Sequence, residues 1–286
     1  MSIQGQKVKK VEPLKRQTNK ACACGAVYEG LLVSYDRGEH WIDLRKSCPK
    51  CRGKAIEEFN AQEAAIKARQ LADLRQQWLE KSGIPILFKN KTFDNFESSY
   101  QKRAFNICRN YAAGLTVDNC RGYYSLVLIS EKMWGVGKTH LVCAIAKEVI
   151  KKCKGERWAA PVRFITEPDL YQRIQATYDP KYAPVRLENE DSILRALTHA
   201  PLLILDDVGK EERTDKRFIQ RILFSIIDGR YRNMLPLIMT TNLNSNALRE
   251  HLGGEGENEA SFDRLLEMCR GKFTMLSGDS YRRKMR

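Results

Sequence analysis

The chain has 286 residues, of which 43% are hydrophobic and 29% charged, and its formal net charge is +14. That composition excludes a disordered or fibrous chain, and no apolar run approaches the roughly 20 residues of a membrane helix. The basic balance points to a polyanionic partner, nucleic acid first, and residues 1–91 carry more than half of the excess.

Residues 1–20 begin MSIQGQKVKK, without an apolar stretch, so no secretory leader is expected. They are polar and basic and read as a flexible arm. Residues 21–54 hold four cysteines and short alternating apolar stretches such as VYEGLLV, which suit a small β-rich metal module. Residues 55–82 are rich in Ala, Glu, Gln, Lys, Arg and Leu. Leu71, Leu74 and Trp78 form one apolar stripe there, and Gly83 with Pro85 supplies a stop, so the segment predicts a linker helix. From residue 83 to 286 strands and helices alternate. YSLVLIS (124–130), VRFI (162–165), LLILDDV (202–208) and PLIMTTN (236–242) read as buried strands. Residues 138–153, 167–177, 190–199 and 215–232 read as helices, and 253–261 as a flexible loop. This alternation predicts an α/β domain with a parallel sheet flanked by helices.

The strand YSLVLIS is followed by EKMWGVGKTHL. Gly135, Val136, Gly137, Lys138, Thr139 and His140 form a phosphate-loop pattern that opens a helix. Glycines let backbone N–H groups curl around phosphate oxygens, and the helix N-terminus adds its positive end. Lys138 is placed to reach the β- and γ-phosphates of ATP, and the Thr139 hydroxyl to hold Mg²⁺. The full pattern asks for glycine at position 132, where this chain has Lys132. Either another backbone path replaces that glycine or nucleotide affinity suffers.

LLILDDV ends in two acids. Asp206 is the candidate for holding Mg²⁺, and Asp207 for polarising an attacking water. Asn242, at the end of PLIMTTN, either orients that water or caps the next helix. Arg264, after the glycine-rich loop, is either a finger that reaches a neighbouring subunit's γ-phosphate, making the active form a homo-oligomer, or a surface arginine. Between 166 and 199, Tyr171, Arg173, Tyr178, Lys181, Tyr182 and Arg186 interleave aromatic and basic groups, which suits contact with a single strand, or else are core tyrosines beside a solvated basic face.

Cys22, Cys24, Cys48 and Cys51 follow the spacing C-x-C-x23-C-x2-C. Two close pairs of soft ligands suit a closed, structural tetrahedral Zn²⁺ site, with His40 as an alternative ligand. The remaining five cysteines are scattered, so a reducing cytoplasm is expected rather than a disulfide framework.

Taken together, GIPILFKNKTFDNFE (83–97), GVGKTHL, LLILDDVG, IMTTNLN and LSGDSYR (276–282) resemble, in order, the DnaC/DnaI-type replicative helicase loaders of the AAA+ ATPases. The amino-terminal cysteine module resembles the DnaI branch. The resemblance implies a five-stranded AAA+ P-loop ATPase domain that binds ATP and Mg²⁺ at a subunit interface. It implies a hexameric replicative DNA helicase as partner, delivery of that helicase to single-stranded DNA, and slow, regulatory hydrolysis. Arg282 falls in the terminal box and would face nucleotide or DNA. Two other readings stand beside it. One is a transposition helper ATPase of the IstB type. The other is a zinc-containing DNA-binding adaptor with a degenerate P-loop.

Overall fold

A computed structural model describes residues 13–34, 36, 38–155, 160–178, 188–210, 214–254 and 259–284. The chain divides into two units, Met1–Gln70 and Leu71–Arg286. In the first, β1 (Leu14–Ala21), β2 (Val27–Ser34) and β3 (Ile42–Asp43) form an antiparallel sheet in that order. Leu14 pairs with Ser34 and Ala21 with Val27, so β1 and β2 make a hairpin closed over residues 22–26. Gly25 at φ +86° makes that turn, its amide bonding the Cys22 carbonyl at 2.8 Å. The arm expected over residues 1–20 is therefore corrected for 14–20, while residues 1–12 lie outside the described residues. LKRQTNK shows no alternating apolar pattern because β1 is a polar edge strand; backbone pairing with β2 alone defines it.

Helix α1 spans Pro49–Lys81, beginning six residues before the expected linker helix. Proline suits a first helical position, since the amide it lacks has no partner there. Cys51 thereby sits in the first turn of a helix. In the second unit Trp78 is 2% exposed and packs with Ile84, while Arg75 donates to the Cys153 carbonyl at 2.9 Å.

The second unit is built on β4 (Leu126–Ile129), β5 (Val162–Thr166), β6 (Leu202–Val208), β7 (Leu237–Thr241) and β8 (Thr274–Met275). All pair parallel, in the order β5-β6-β7-β4-β8. Their near-continuous apolar runs follow from burial on both faces. Leu126, Leu128, Val162, Phe164, Leu202 and Ile204 face α2 (Lys102–Gly114) and α3 (Lys138–Lys152). The alternate residues Val127, Ile129, Leu203, Leu205 and Met239 face the other layer. That layer comprises α4 (Glu167–Ala176), α5 (Glu190–His199), α6 (Lys216–Arg232), α7 (Ser245–Leu252) and α8 (Ala260–Met268). Each such side chain contributes roughly 1.5–3 kcal/mol on burial.

Helix starts are set locally. Thr166, Asn189, Asp215 and Asn244 each accept a backbone N–H of the first turn of α4, α5, α6 and α7. Helices α2, α3 and α8 start without a side-chain cap, and at α3 the N-cap is Gly137. Among the described residues no helix is long and apolar enough to cross a membrane.

Candidate functional site

The carboxyl ends of β4, β6 and β7 meet at the start of α3. Gly135 and Gly137 take φ +77° and +99° between β4 and α3, a region that side chains oppose. A Cβ on Gly137 would stand 2.7 Å from the Phe96 ring. The first-turn amides of α3 consequently open onto a cavity of about 540 Å³, within the range of small-ligand sites. Lys132, where the full pattern has glycine, itself adopts a left-handed φ of +51°. Its amide donates to the Asn242 carbonyl at 3.3 Å.

Lys138 is 6% exposed, and its ammonium donates to Ser130 Oγ and to Asn242 Oδ1, the latter at 2.5 Å. Asn242 thus faces the P-loop lysine, and Asn244 takes the capping role at α7. Thr139 Oγ1 lies 3.0 Å from Asp206 Oδ2, and Thr240 Oγ1 lies 2.5 Å from Asp206 Oδ1. Burial, then the neighbouring Asp207 carboxylate, push the Asp206 carboxyl up to about 6. Asp207 has φ +58°, its amide donates to Thr240 Oγ1 at 3.0 Å, and its carboxylate pairs with Lys210. His140 contacts the Thr92 carbonyl through Nε2 at 2.8 Å and meets the Phe96 ring edge-on at 5.0 Å. Burial lowers its pKa, so the ring is neutral at pH 7. Val136 is buried in the core.

The fold therefore brings Gly135, Val136, Gly137, Lys138, Thr139, His140, Asp207 and Asn242 to one cavity, while Asp206 is buried and hydrogen-bonded to Thr139. Arg264 is elsewhere. It lies on α8, paired with Asp228 Oδ1 at 2.9 Å and lying over the Phe224 and Tyr231 rings at 5.4 and 5.7 Å. It does not line this chain's cavity. Sequence reasoning missed the apolar wall: Phe88, Phe96, Tyr100, Trp134 and Tyr281 line the same space. The aromatics of FKNKTFDNFESSY were the available signal. Their role depends on Lys147, whose ammonium holds the Phe88 carbonyl at 2.8 Å, and on Tyr281, whose amide donates to the Gly135 carbonyl at 3.1 Å.

The expected single-strand patch is partly corrected. Tyr171 is 1% exposed and donates to Glu167 Oε1 at 2.8 Å, so it belongs to the core. Arg173 is paired with Glu188, and Tyr178 is exposed while its hydroxyl donates to Glu190. Lys181, Tyr182, Arg186 and the side chain of Arg282 lie outside the described residues.

In the first unit the hairpin turn carries Cys22 and Cys24, and the start of α1 carries Cys51, next to Cys48. Their four sulfurs lie within 4.8 Å of one another, with Cys24 Sγ and Cys48 Sγ 3.6 Å apart. A tetrahedron with Zn–S bonds of about 2.3 Å has edges of roughly 3.8 Å, so the set fits zinc. The amides of Cys24 and Cys48 are directed at the Cys22 sulfur and lower its pKa to about 6, as a thiolate ligand needs. His40 pairs with Asp36 instead and is not part of the cluster.

The parallel sheet, the glycine loop opening α3 and the acids ending β6 define the AAA+ P-loop ATPase fold. A family model for the IstB-like ATP binding proteins matches residues 79–286, and the chain belongs to that family. It is similar to the replicative helicase loader DnaC of Escherichia coli (strain K12), with 27% identity over 224 residues, 78% of this chain and 81% of that protein. YdaV of the same organism is 27% identical over 231 residues, 80% of each chain. The crystal structure of the DnaC helicase loader superposes with a TM-score of 0.51 at 23% identity, covering 68% of this chain and all of that one, a likeness of fold.

Proposed function

We propose that this chain is an ATP-dependent helicase loader. It binds a replicative DNA helicase and delivers it to single-stranded DNA at replication initiation, in the cytoplasm. ATP binding and slow hydrolysis control release. The observation that supports this best is the similarity to the DnaC loader, which runs through 78% of the chain and includes the P-loop and acid pair.

The α3 amides and Lys138 bind the phosphates, and the aromatic wall takes the base. Thr139 and Asp206 hold Mg²⁺, hard oxygen donors 3.0 Å apart. That ion supplies charge neutralisation on the phosphates when bound. Asp207 accepts a proton from water aligned on the terminal phosphate, and Asn242, turned from Lys138, orients that water. Arg264 acts in trans within a homo-oligomer, held at a set angle by Asp228 until a neighbour docks. Cys22, Cys24, Cys48 and Cys51 hold a structural Zn²⁺ that leaves no open coordination position. Tyr178 contributes to single-strand contact, which Tyr178→Ala should weaken.

The test is complex formation between the full chain and its cognate replicative helicase, measured by light scattering with and without ATP and Mg²⁺, beside Lys138→Ala. A complex whose mass responds to nucleotide in the parent but not in Lys138→Ala supports the reading. No complex under any condition overturns it. The match to the IstB-like family model favours a second reading, a transposition helper, whose partner in the same assay is a transposase.

A further inference from the structure

The turn after β6 is held more tightly than a strand-to-helix connection requires. Asp207, where the β6 pairing with β7 shifts register between Leu205 and Val208, lies at φ +58°, and Gly209 just past the strand lies at φ +86°. A Cβ on Gly209 would stand 2.4 Å from the Leu243 side chain, so only glycine fits against the segment following β7. The Gly209 amide donates to Glu167 Oε2 at 2.7 Å. Glu167 is fully buried, and its other oxygen takes the Tyr171 hydroxyl at 2.8 Å and meets His251 Nε2 at 2.6 Å. A buried carboxylate from α4, steadied by α4 and α7, thus clamps one backbone amide.

That clamp places the next residue. Lys210 lines the cavity beside the P-loop and Asp207, and its ammonium pairs with the Asp207 carboxylate. The two side chains are 41% and 26% exposed, and a pair so open to solvent contributes about 1 kcal/mol or less. Lysine carries its charge on a flexible four-carbon stem and can exchange one anion for another, while its backbone stays fixed.

We propose that Lys210 is a second cation of the phosphate site, held by Asp207 in the nucleotide-free chain and transferred to the terminal phosphate when a nucleoside triphosphate binds. The transfer releases the Asp207 carboxylate only when a triphosphate is present. This rests on the nucleotide reading above: Asp207 serves the terminal phosphate, so its ion-pair partner stands at the same end. A terminal phosphate carries between about 1.5 and 2 negative charges at neutral pH and outcompetes a single carboxylate. On this proposal a diphosphate, which lacks the terminal phosphate, leaves the pair intact.

The experiment is calorimetric titration of the full chain with ATP and with ADP, for the parent, Lys210→Ala and Lys210→Arg. Lys210→Ala should weaken ATP binding about tenfold, the size of one lost charged contact, and ADP binding less than about twofold. Lys210→Arg should keep ATP affinity within about threefold of the parent, because the charge survives. Equal losses for ATP and ADP, or no loss for ATP, overturn the assignment of Lys210. A parent chain that binds neither nucleotide overturns the nucleotide reading itself, and the two failures are therefore distinct.

Discussion

Asp206→Asn should stabilise the nucleotide-free chain while impairing its magnesium-dependent binding of ATP. Asp206 is 2% exposed, and its carboxyl is pushed up to about 6, first by burial and then by Asp207. Its ordinary value is about 4, so holding it ionised at pH 7.5 costs about 3 kcal/mol. The folded-state value lies above that of the unfolded chain. The folded state therefore binds more protons between about pH 4 and pH 6, and stability falls as the pH rises through that window. An asparagine removes the charge and keeps one acceptor for the Thr240 hydroxyl, which lies 2.5 Å away. The Thr139 hydroxyl, at 3.0 Å, can turn to accept from the new amide, so the exchange loses about 1 kcal/mol of hydrogen bonding. The net gain is about 2 kcal/mol at pH 7.5, and about 1 kcal/mol of it develops between pH 5 and pH 7.5. Urea unfolding of the full chain without magnesium or nucleotide measures both. An Asp206→Asn chain less stable than the parent at pH 7.5, or a gain equal at the two pH values, would refute the reasoning.

Two further outcomes follow from single residues. Lys132→Gly relieves a left-handed lysine at φ +51°, worth about 1 kcal/mol, against the greater unfolded-state entropy of glycine. A gain of about 0.5 kcal/mol in urea unfolding is expected, with nucleotide affinity kept within about threefold. A tenfold loss of affinity would show that the Lys132 charge itself contacts nucleotide. Cys48→Ser should remove bound zinc, read by a colorimetric assay on the released metal, and leave nucleotide affinity unchanged, because the four sulfurs form a closed set in the first unit. Zinc retained in that variant would rule out the four-thiolate site.

Much of the nucleotide cavity was legible in the residues alone. LVLI, LLILDDV and LIMTT are apolar enough to be strands buried on both faces, and their polar ends must then emerge at one edge of a parallel sheet. Glycines before Lys138-Thr139 permit a backbone that few other residues allow. The pairs of cysteines likewise announce their ligand set by spacing. These features are local: each depends on residue type and on neighbours a few positions away.

What only the tertiary structure decided depends on groups far apart in sequence. Strand β1 exists because β2 pairs with it, which no pattern in LKRQTNK announces. Tyr171 resembled an exposed stacking residue until Glu167 claimed its hydroxyl within the core. Asn242 was one candidate for the cap of α7, but Asn244 takes that place, and Asn242 instead accepts from Lys138, 104 residues earlier. Lys210 was invisible as a site residue, because its position is set by Glu167 through the amide of Gly209. Sequence periodicity reports which face of an element is buried, but a buried polar group chooses its partner in three dimensions. The penalty for leaving such a group unsatisfied is the physical reason those choices are definite.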